Sequence, residues 1–466
     1  MDARRSASYT EFLIDPTTLT ELARNPVSPE IVEFSVGKRH TGSRSMDFPQ
    51  MLRVRQEFDA PRIDDIVGTV DTQLQGLELE QRVQAGDSVA ITAGSRGIAN
   101  IATITRAAVD YFKQLGAVPF VVPAMGSHGG GTAEGQQEIL AGYGITEPAM
   151  GAEVRSSMET VIVDETPQGI PVHFDKQAFE ADHVLVCGRV KPHTGFVGVI
   201  ESGLHKMMLI GLGKHDGAKI YHRAIQDYSF LEIIRAVGDS VLAKCGVVGG
   251  LAIVENAYDE TGLIEAVAPG NFFEREQVLL ETAKQWMPRL PFPQVDLLIV
   301  DRIGKDVSGT GMDTNVIGRK YNDHAATDKD GVACRRIFVR GLTEATHGNA
   351  TGIGLAEFTN RRTIQSVDQR VTAINTITGG HPSAAMLPIA FETDKEVIGE
   401  ALQTVGLAEP HETRVIQISD TLHLGELLIS DAYAAEIAGR DDLEILTGPD
   451  AMAFDATENL KDVAVP

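Results

Sequence analysis

Cysteine is scarce in this chain. Three thiols, Cys187, Cys245 and Cys334, are spread over 466 residues, with no Cys-x-x-Cys pair. That spacing argues against a cysteine-built zinc or iron–sulfur site and fits a reducing, cytoplasmic setting. Long apolar runs are missing as well: nothing approaches the roughly 18 apolar residues that span a bilayer. Residues 1–20 contain two arginines but no apolar core of the kind a signal peptide needs. No membrane partner is therefore expected. Positive charge is short, with 41 Lys+Arg against 65 Asp+Glu and a net charge of -24. Nucleic-acid binders displace counterions with a basic face, so this balance disfavours a nucleic-acid partner. Phosphate and dinucleotide signatures are incomplete. The run Gly126-Ser-His-Gly-Gly-Gly-Thr132 lacks the Gly-Lys-Ser/Thr ending of a P-loop, and in Gly352-Ile-Gly354-Leu-Ala-Glu357 a glutamate replaces the last glycine of a dinucleotide fingerprint. No repeat or low-complexity segment stands out.

What is present is alternation. Asp87–Ala93 reads as a buried strand ending at Gly94, residues 98–115 have helical spacing, and Val118–Pro123 is a second strand. Residues 132–143 read as a helix with Thr132 as N-cap. Val161–Asp164 and His183–Cys187 supply further strands. This alternation predicts an α/β fold around mainly parallel sheets. Three prolines between Trp286 and Pro293, after a helix over residues 272–285, mark a boundary. A fresh pattern begins at Val295-Asp-Leu-Leu-Ile-Val-Asp301 and continues through Ile337–Arg340, Val371–Thr378 and Thr413–Ile418. The expected organisation is an N-terminal extension over 1–45, an α/β domain over 46–288, a second over 289–466, and an active site in the cleft between the two domains.

Chemistry-bearing residues gather in the loops after the first-half strands: Ser95 and Arg96, then Ser127 and His128, then Lys191 and His193. In open parallel sheets ligands bind outside the carboxyl ends of the strands, so three polar loops on that edge make a site. The glycine-rich turn around His128 is open to two readings: a plain turn into a helix, or a turn that presents a titratable imidazole to a ligand. In the second half, residues 304–319 form a polar, glycine-rich stretch directly after a strand. It reads either as a long surface loop or as a ligand clamp built from Lys305, Asp313, Asn315 and Arg319, whose planar guanidinium suits a carboxylate.

The densest cluster runs from Lys191 to His222: Lys191-Pro-His193, Ser202-Gly203-Leu-His205-Lys206, Lys214-His215 and His222, set among apolar residues. Ammonium and imidazole groups in apolar surroundings are costly to leave unpaired. A protein-only zinc site is disfavoured, because the histidine spacings match no known ligand pattern. For each histidine alone, a hydrogen-bonded surface residue is the bland alternative.

The order Gly94-Ser95-Arg96-Gly, Met125-Gly-Ser-His128, Lys191-Pro-His193, Ser202-Gly-Leu-His-Lys206 and His222 resembles the nickel-dependent lactate racemase family, with departures that point to a divergent member. The resemblance implies a nickel-pincer nucleotide, the pyridinium-3-thioamide-5-thiocarboxylate mononucleotide of nickel, tethered to a lysine that Lys206 matches. It implies cofactor contacts at Ser202, Gly203 and Lys191. His222, sixteen residues beyond Lys206, matches the family's nickel ligand, and an imidazole suits nickel. His128 and His193 match the catalytic histidines. Arg96 matches a substrate-orienting arginine, Ser95 beside it is a second expected substrate contact, and Asn315 and Arg319, near the family's second-domain substrate motif, are two more.

The implied reaction is inversion of C2 in a 2-hydroxy acid: hydride moves to and from the cofactor through a 2-keto acid while the histidines exchange the hydroxyl proton. Two departures separate this chain from lactate racemases proper. The stretch between His193 and Lys206 is longer, and the second-domain Asp-Gln-Asn run is here Asp313-Thr-Asn315. A larger or more polar acid, such as a sugar acid or a dicarboxylate, is the expected substrate. Expected partners are that acid and the enzymes that make the cofactor, with self-association left open. Two other classes remain: a nicotinamide-dependent oxidoreductase, against which the broken glycine fingerprint counts, and a non-catalytic ligand-binding homologue without the cofactor.

Overall fold

A computed structural model of the chain describes residues 48–95, 97–195, 197–224, 228–320 and 332–463, and at His222 and Thr378 the backbone alone. Arg96, the side chain of His222 and the extension expected over residues 1–45 lie outside the described residues. The strands in chain order are β1 (Gln50–Gln56), β2 (Ser88–Ala93), β3 (Val118–Pro123), β4 (Thr160–Glu165), β5 (Pro171–Asp175), β6 (His183–Arg189), β7 (Val247–Glu255) and β8 (Thr261–Val267). They continue with β9 (Gln294–Val300), β10 (Ala333–Val339), β11 (Phe358–Asn360), β12 (Ile389–Phe391), β13 (Val415–Ile418), β14 (Glu426–Ser430) and β15 (Leu443–Ala451).

Two larger sheets result, with β4 and β5 forming a separate hairpin. The first has the order β3-β2-β6-β7-β8, parallel from β3 to β7, with β8 antiparallel at the edge. The second has the order β12-β11-β10-β9-β13-β14-β1-β15. Its strands β12 to β13 run parallel, and the antiparallel strands gather at the other edge. The α/β class with mainly parallel sheets expected from the sequence is the observed one.

The strand sequences explain this layering. Ser88-Val-Ala-Ile-Thr-Ala93 and Gln294-Val-Asp-Leu-Leu-Ile-Val300 are apolar on successive residues, the mark of strands covered on both faces. Alternate side chains of β2 serve opposite cores. Val89 and Ile91 pack with Ile104 and Phe112 of the helix Ile101–Gln114. Ala90 packs with Ile233 and Val237 of the helix Phe230–Lys244. The helix Phe272–Trp286 stops just before Pro288, Pro291 and Pro293, and β9 follows. Among the described residues no helix is long and apolar enough to cross a membrane.

Several strands had no sequence-level expectation, among them β7, β8 and β1, which lies between β14 and β15 in the eight-stranded sheet. The pairing partners of β1 are hundreds of residues away, so only the folded chain shows where it goes.

The second sheet is fastened by a buried charge cluster. Arg340, just past β10 and 3% exposed, donates to Asp394 Oδ2 at 2.8 Å and Asp462 Oδ1 at 2.9 Å, and also bonds Asp301 and the Leu460 carbonyl. Asp394 accepts further from Asn360 and Arg362. Burial pushes the Asp301 carboxyl up to about 6, with Arg340 acting in the opposite direction. Removing the guanidinium would leave buried carboxylates without their main counter-charge. R340M should therefore destabilise the fold by about 3–5 kcal/mol, read as a lower denaturant midpoint with an unchanged slope.

Candidate functional site

In each sheet the chain leaves one strand in two directions. The β2/β6 neighbours of the first sheet and the β9/β13 neighbours of the second are the switch points, where loops part and leave a crevice. The loops after β2, β3, β6 and β7 and those after β9 and β13 line one cavity of about 640 Å³. That volume is in the range that holds a drug-sized ligand.

The loop after β3 carries His128. Gly129 has φ +65°, and a Cβ there would come within 2.5 Å of the Gly135 backbone, so the turn closes only with glycine. Thr132 caps the helix Ala133–Gly142, as the sequence predicts, accepting from the Gly135 amide. The buried Gln136 donates to the carbonyls of Gly126 (2.9 Å) and His128 (3.2 Å). The glycine run is thus a turn into a helix, and it also delivers an imidazole to the cavity. His128 Nδ1 hydrogen-bonds the Ser95 hydroxyl, and Tyr143 holds the Ser95 carbonyl at 2.6 Å. His128, Ser95 and Tyr143 all line the cavity.

The loop after β6 is closed by a backbone pair. Lys191 and Ser202 exchange N–H···O bonds of 3.1 and 3.2 Å. Within it, His193 donates its amide to Glu201 Oε2 (2.5 Å), its Nδ1 accepts from the Gly195 amide (3.0 Å), and its ring stacks on Phe230. Gly203 follows. A Cβ there would meet Glu276 Oε1 at 1.9 Å, so the glycine makes room for a buried carboxylate that binds His205. One helical turn, Leu204–Lys206, then widens into a π-turn over Met207–Gly211, with Leu212 N bonded to Met207 O. Such widened turns recur at functional sites. Lys206 lines the cavity together with Lys191, His193, Ser202 and Gly203.

His205, Lys214 and His215 are not among the lining residues. His205 is buried against Glu276, Phe272 and Phe273. Lys214 is fully buried, pairs with Asp175 at 2.7 Å and bonds the Pro123 carbonyl at the foot of the His128 loop. Burial lowers the Lys214 pKa, and Asp175 opposes the shift. His215 is exposed, and His222 lies on the helix Lys214–Ala224.

From the second sheet come Lys305–Gly309, Asp313, Val316, Thr421 and Leu422. Lys191 and Asp313 approach to 3.5 Å across the two halves. Asn315 and Arg319 are not among the lining residues. Asn315 donates to Asp313 Oδ1 and accepts from Lys320, which also donates to the His193 carbonyl at 3.2 Å. Arg319 donates to Glu357 Oε1 (2.8 Å) and to the Leu355, Cys334 and Arg335 carbonyls. Its fork is taken up by bracing its own sheet.

Several lining residues had no sequence-level role: Arg189, Glu255, Asp259 and Asp306. The strand-end rule that found His128 would have found Glu255 and Asp259, had Val247–Glu255 been read as a strand. Among the described residues no three of His, Cys, Asp and Glu come together as metal ligands.

Comparison with known proteins gives three findings. Residues 63–230 match the family model of the lactate racemase N-terminal domain. No curated protein sequence matches the chain. Among solved structures, the chain is similar to the lactate racemase apoprotein from Thermoanaerobacterium thermosaccharolyticum, at 14% identity and TM-score 0.45, over 85% of this chain and 94% of that one.

The cavity's charges are mixed, with Lys191, Lys206, Lys305 and Arg189 facing Glu255, Asp259, Asp306 and Asp313. Asp259 lines the cavity but keeps much of its surface in solvent. In D259N the loss of that negative charge should tighten binding of a small carboxylate by about two- to fivefold at neutral pH, as read from dissociation constants.

Proposed function

We propose that this chain, whose residues 63–230 match the lactate racemase N-terminal domain, is an isomerase inverting C2 of a 2-hydroxy acid. The observation that carries the reading is that His128 and His193, from the loops after β3 and β6, line the same cavity as Lys206. Two imidazoles can exchange protons with a hydroxyl near neutral pH. Ser95 supports His128 in that exchange, because its hydroxyl can accept from or donate to Nδ1. The ring can then change tautomer as its other nitrogen gains or loses a proton. The cationic lining residues Lys191 and Lys305 suit the substrate carboxylate. In this reading Asn315 supports Asp313 and Lys320 rather than touching substrate, and Arg96 is the proposed orienting group.

The donor set suits a nickel-pincer nucleotide. Lys206 offers an amine for the covalent link, Ser202, Gly203 and Lys191 surround it on the cavity wall, and the volume exceeds what a small acid fills. His222, one helix onward, is the proposed nickel ligand. When bound, this group supplies the hydride acceptor and donor for C2, by way of a 2-keto acid. The chain's own residues bind the carboxylate, hold the hydroxyl proton and cover the site from both sheets. A larger or more polar acid than lactate is the proposed substrate, a sugar acid or a dicarboxylate. The proposed setting is the cytoplasm, with the cofactor-making enzymes as partners.

Two experiments test this. H128N and H193N should each lower racemisation by at least about a hundredfold without changing the melting temperature; activity near wild type in both refutes the assignment. Protein co-expressed with the cofactor-making enzymes should carry nickel and a nucleotide-sized mass adduct. In K206A the adduct should be absent, and an adduct retained there would move the tether elsewhere.

A further inference from the structure

Glu201 is a buried carboxyl, 4% exposed, with no role in the proposed chemistry. A group of this kind is costly to bury unless its lone pairs are used, and here they are used on one short turn. Oε2 accepts the His193 amide at 2.5 Å, Oε1 accepts the Gly198 amide at 3.4 Å, and Lys284 stands 3.8 Å from Oε1. The carboxylate thus gathers both ends of the segment that carries His193. Inside that turn the Gly195 amide points at His193 Nδ1 from 3.0 Å. The second sheet braces the same turn through Lys320 on the His193 carbonyl and through the Thr314 hydroxyl, 2.7 Å from the Thr194 carbonyl.

The donor in the Gly195 contact is a backbone N–H, so its direction is not open to choice. Nδ1 must offer a lone pair, and the neutral ring must then carry its proton on Nε2. We infer that Glu201 is a positioning residue that folds the turn so as to hold His193 in its Nε2–H tautomer. His128 is tied at Nδ1 to a hydroxyl that can donate or accept, and that contact leaves its tautomer open. The two imidazoles are therefore inequivalent at rest: the tautomer of His128 is open, while that of His193 is fixed with its proton on Nε2. This rests on the proposed role of His193 for its meaning in catalysis, but the tautomer itself does not.

The test is long-range nitrogen–proton NMR on protein labelled with ¹⁵N at histidine, without cofactor, with the His193 signals assigned by their absence in H193N. Wild type should show Nε2 protonated and Nδ1 as the lone-pair nitrogen, and a proton on Nδ1 overturns the inference. E201Q keeps one acceptor oxygen but turns an N–H₂ toward the second amide, so His193 should divide between tautomers. Burial holds Glu201 above the ordinary carboxylate range, so a neutral glutamine suits the same space. If E201Q nevertheless fails to fold, the wild-type measurement decides. Folded E201Q with an unchanged His193 nitrogen pattern also overturns the inference. In the racemisation assay E201Q should lose about ten- to a hundredfold in kcat, as expected for a displaced catalytic group, with KM little changed. Absence of racemisation in wild type, with the expected nitrogen pattern present, would count against the racemase reading and leave the Glu201 assignment standing.

Discussion

The site depends on the closure of one loop. The backbone pair between Lys191 and Ser202 folds the segment after β6 back on itself, so that Lys191, His193 and Lys206 reach one cavity. Without that closure His193 and Lys206, thirteen positions apart, would have no reason to share a wall. The parallel sheet supplies the platform, since strands running the same way put every following loop at the same edge. The second sheet completes the wall with its own strand-end loops and presses on the closed loop through Lys320 and Thr314.

Charges buried away from the cavity hold this arrangement in place. Lys214 with Asp175 anchors the foot of the His128 loop, and His205 with Glu276 fixes the turn that presents Lys206. Arg340 with Asp301 and Asp394 ties the carboxyl end of β9 to later elements of the second sheet. Buried pairs of this kind are weak evidence for net stability, because desolvation offsets much of the attraction. What they do enforce is geometry: each charge has one place where it is matched. The loops that must hold imidazoles and amines in register lie beside such pairs.

The sequence by itself determined many of the elements and the edge that carries the site. Apolar runs at β2, β3, β6 and β9, a capped helix after Thr132 and a helix ending before the prolines at 288–293 were all legible, because propensity and periodicity act over a few residues. The same local logic put Ser95, His128, Lys191 and His193 at strand ends, where the structure has them. Partner choice was not local and was not legible. Arg319 looked like a ligand clamp by type, yet Glu357, 38 positions on, takes its guanidinium. Glu276 claims His205 from 71 positions away, and β1 finds its sheet across most of the chain. The tertiary structure decided these pairings, because a buried charge or an open strand edge is satisfied by whatever the fold brings near. No neighbouring residue along the chain records which group that will be.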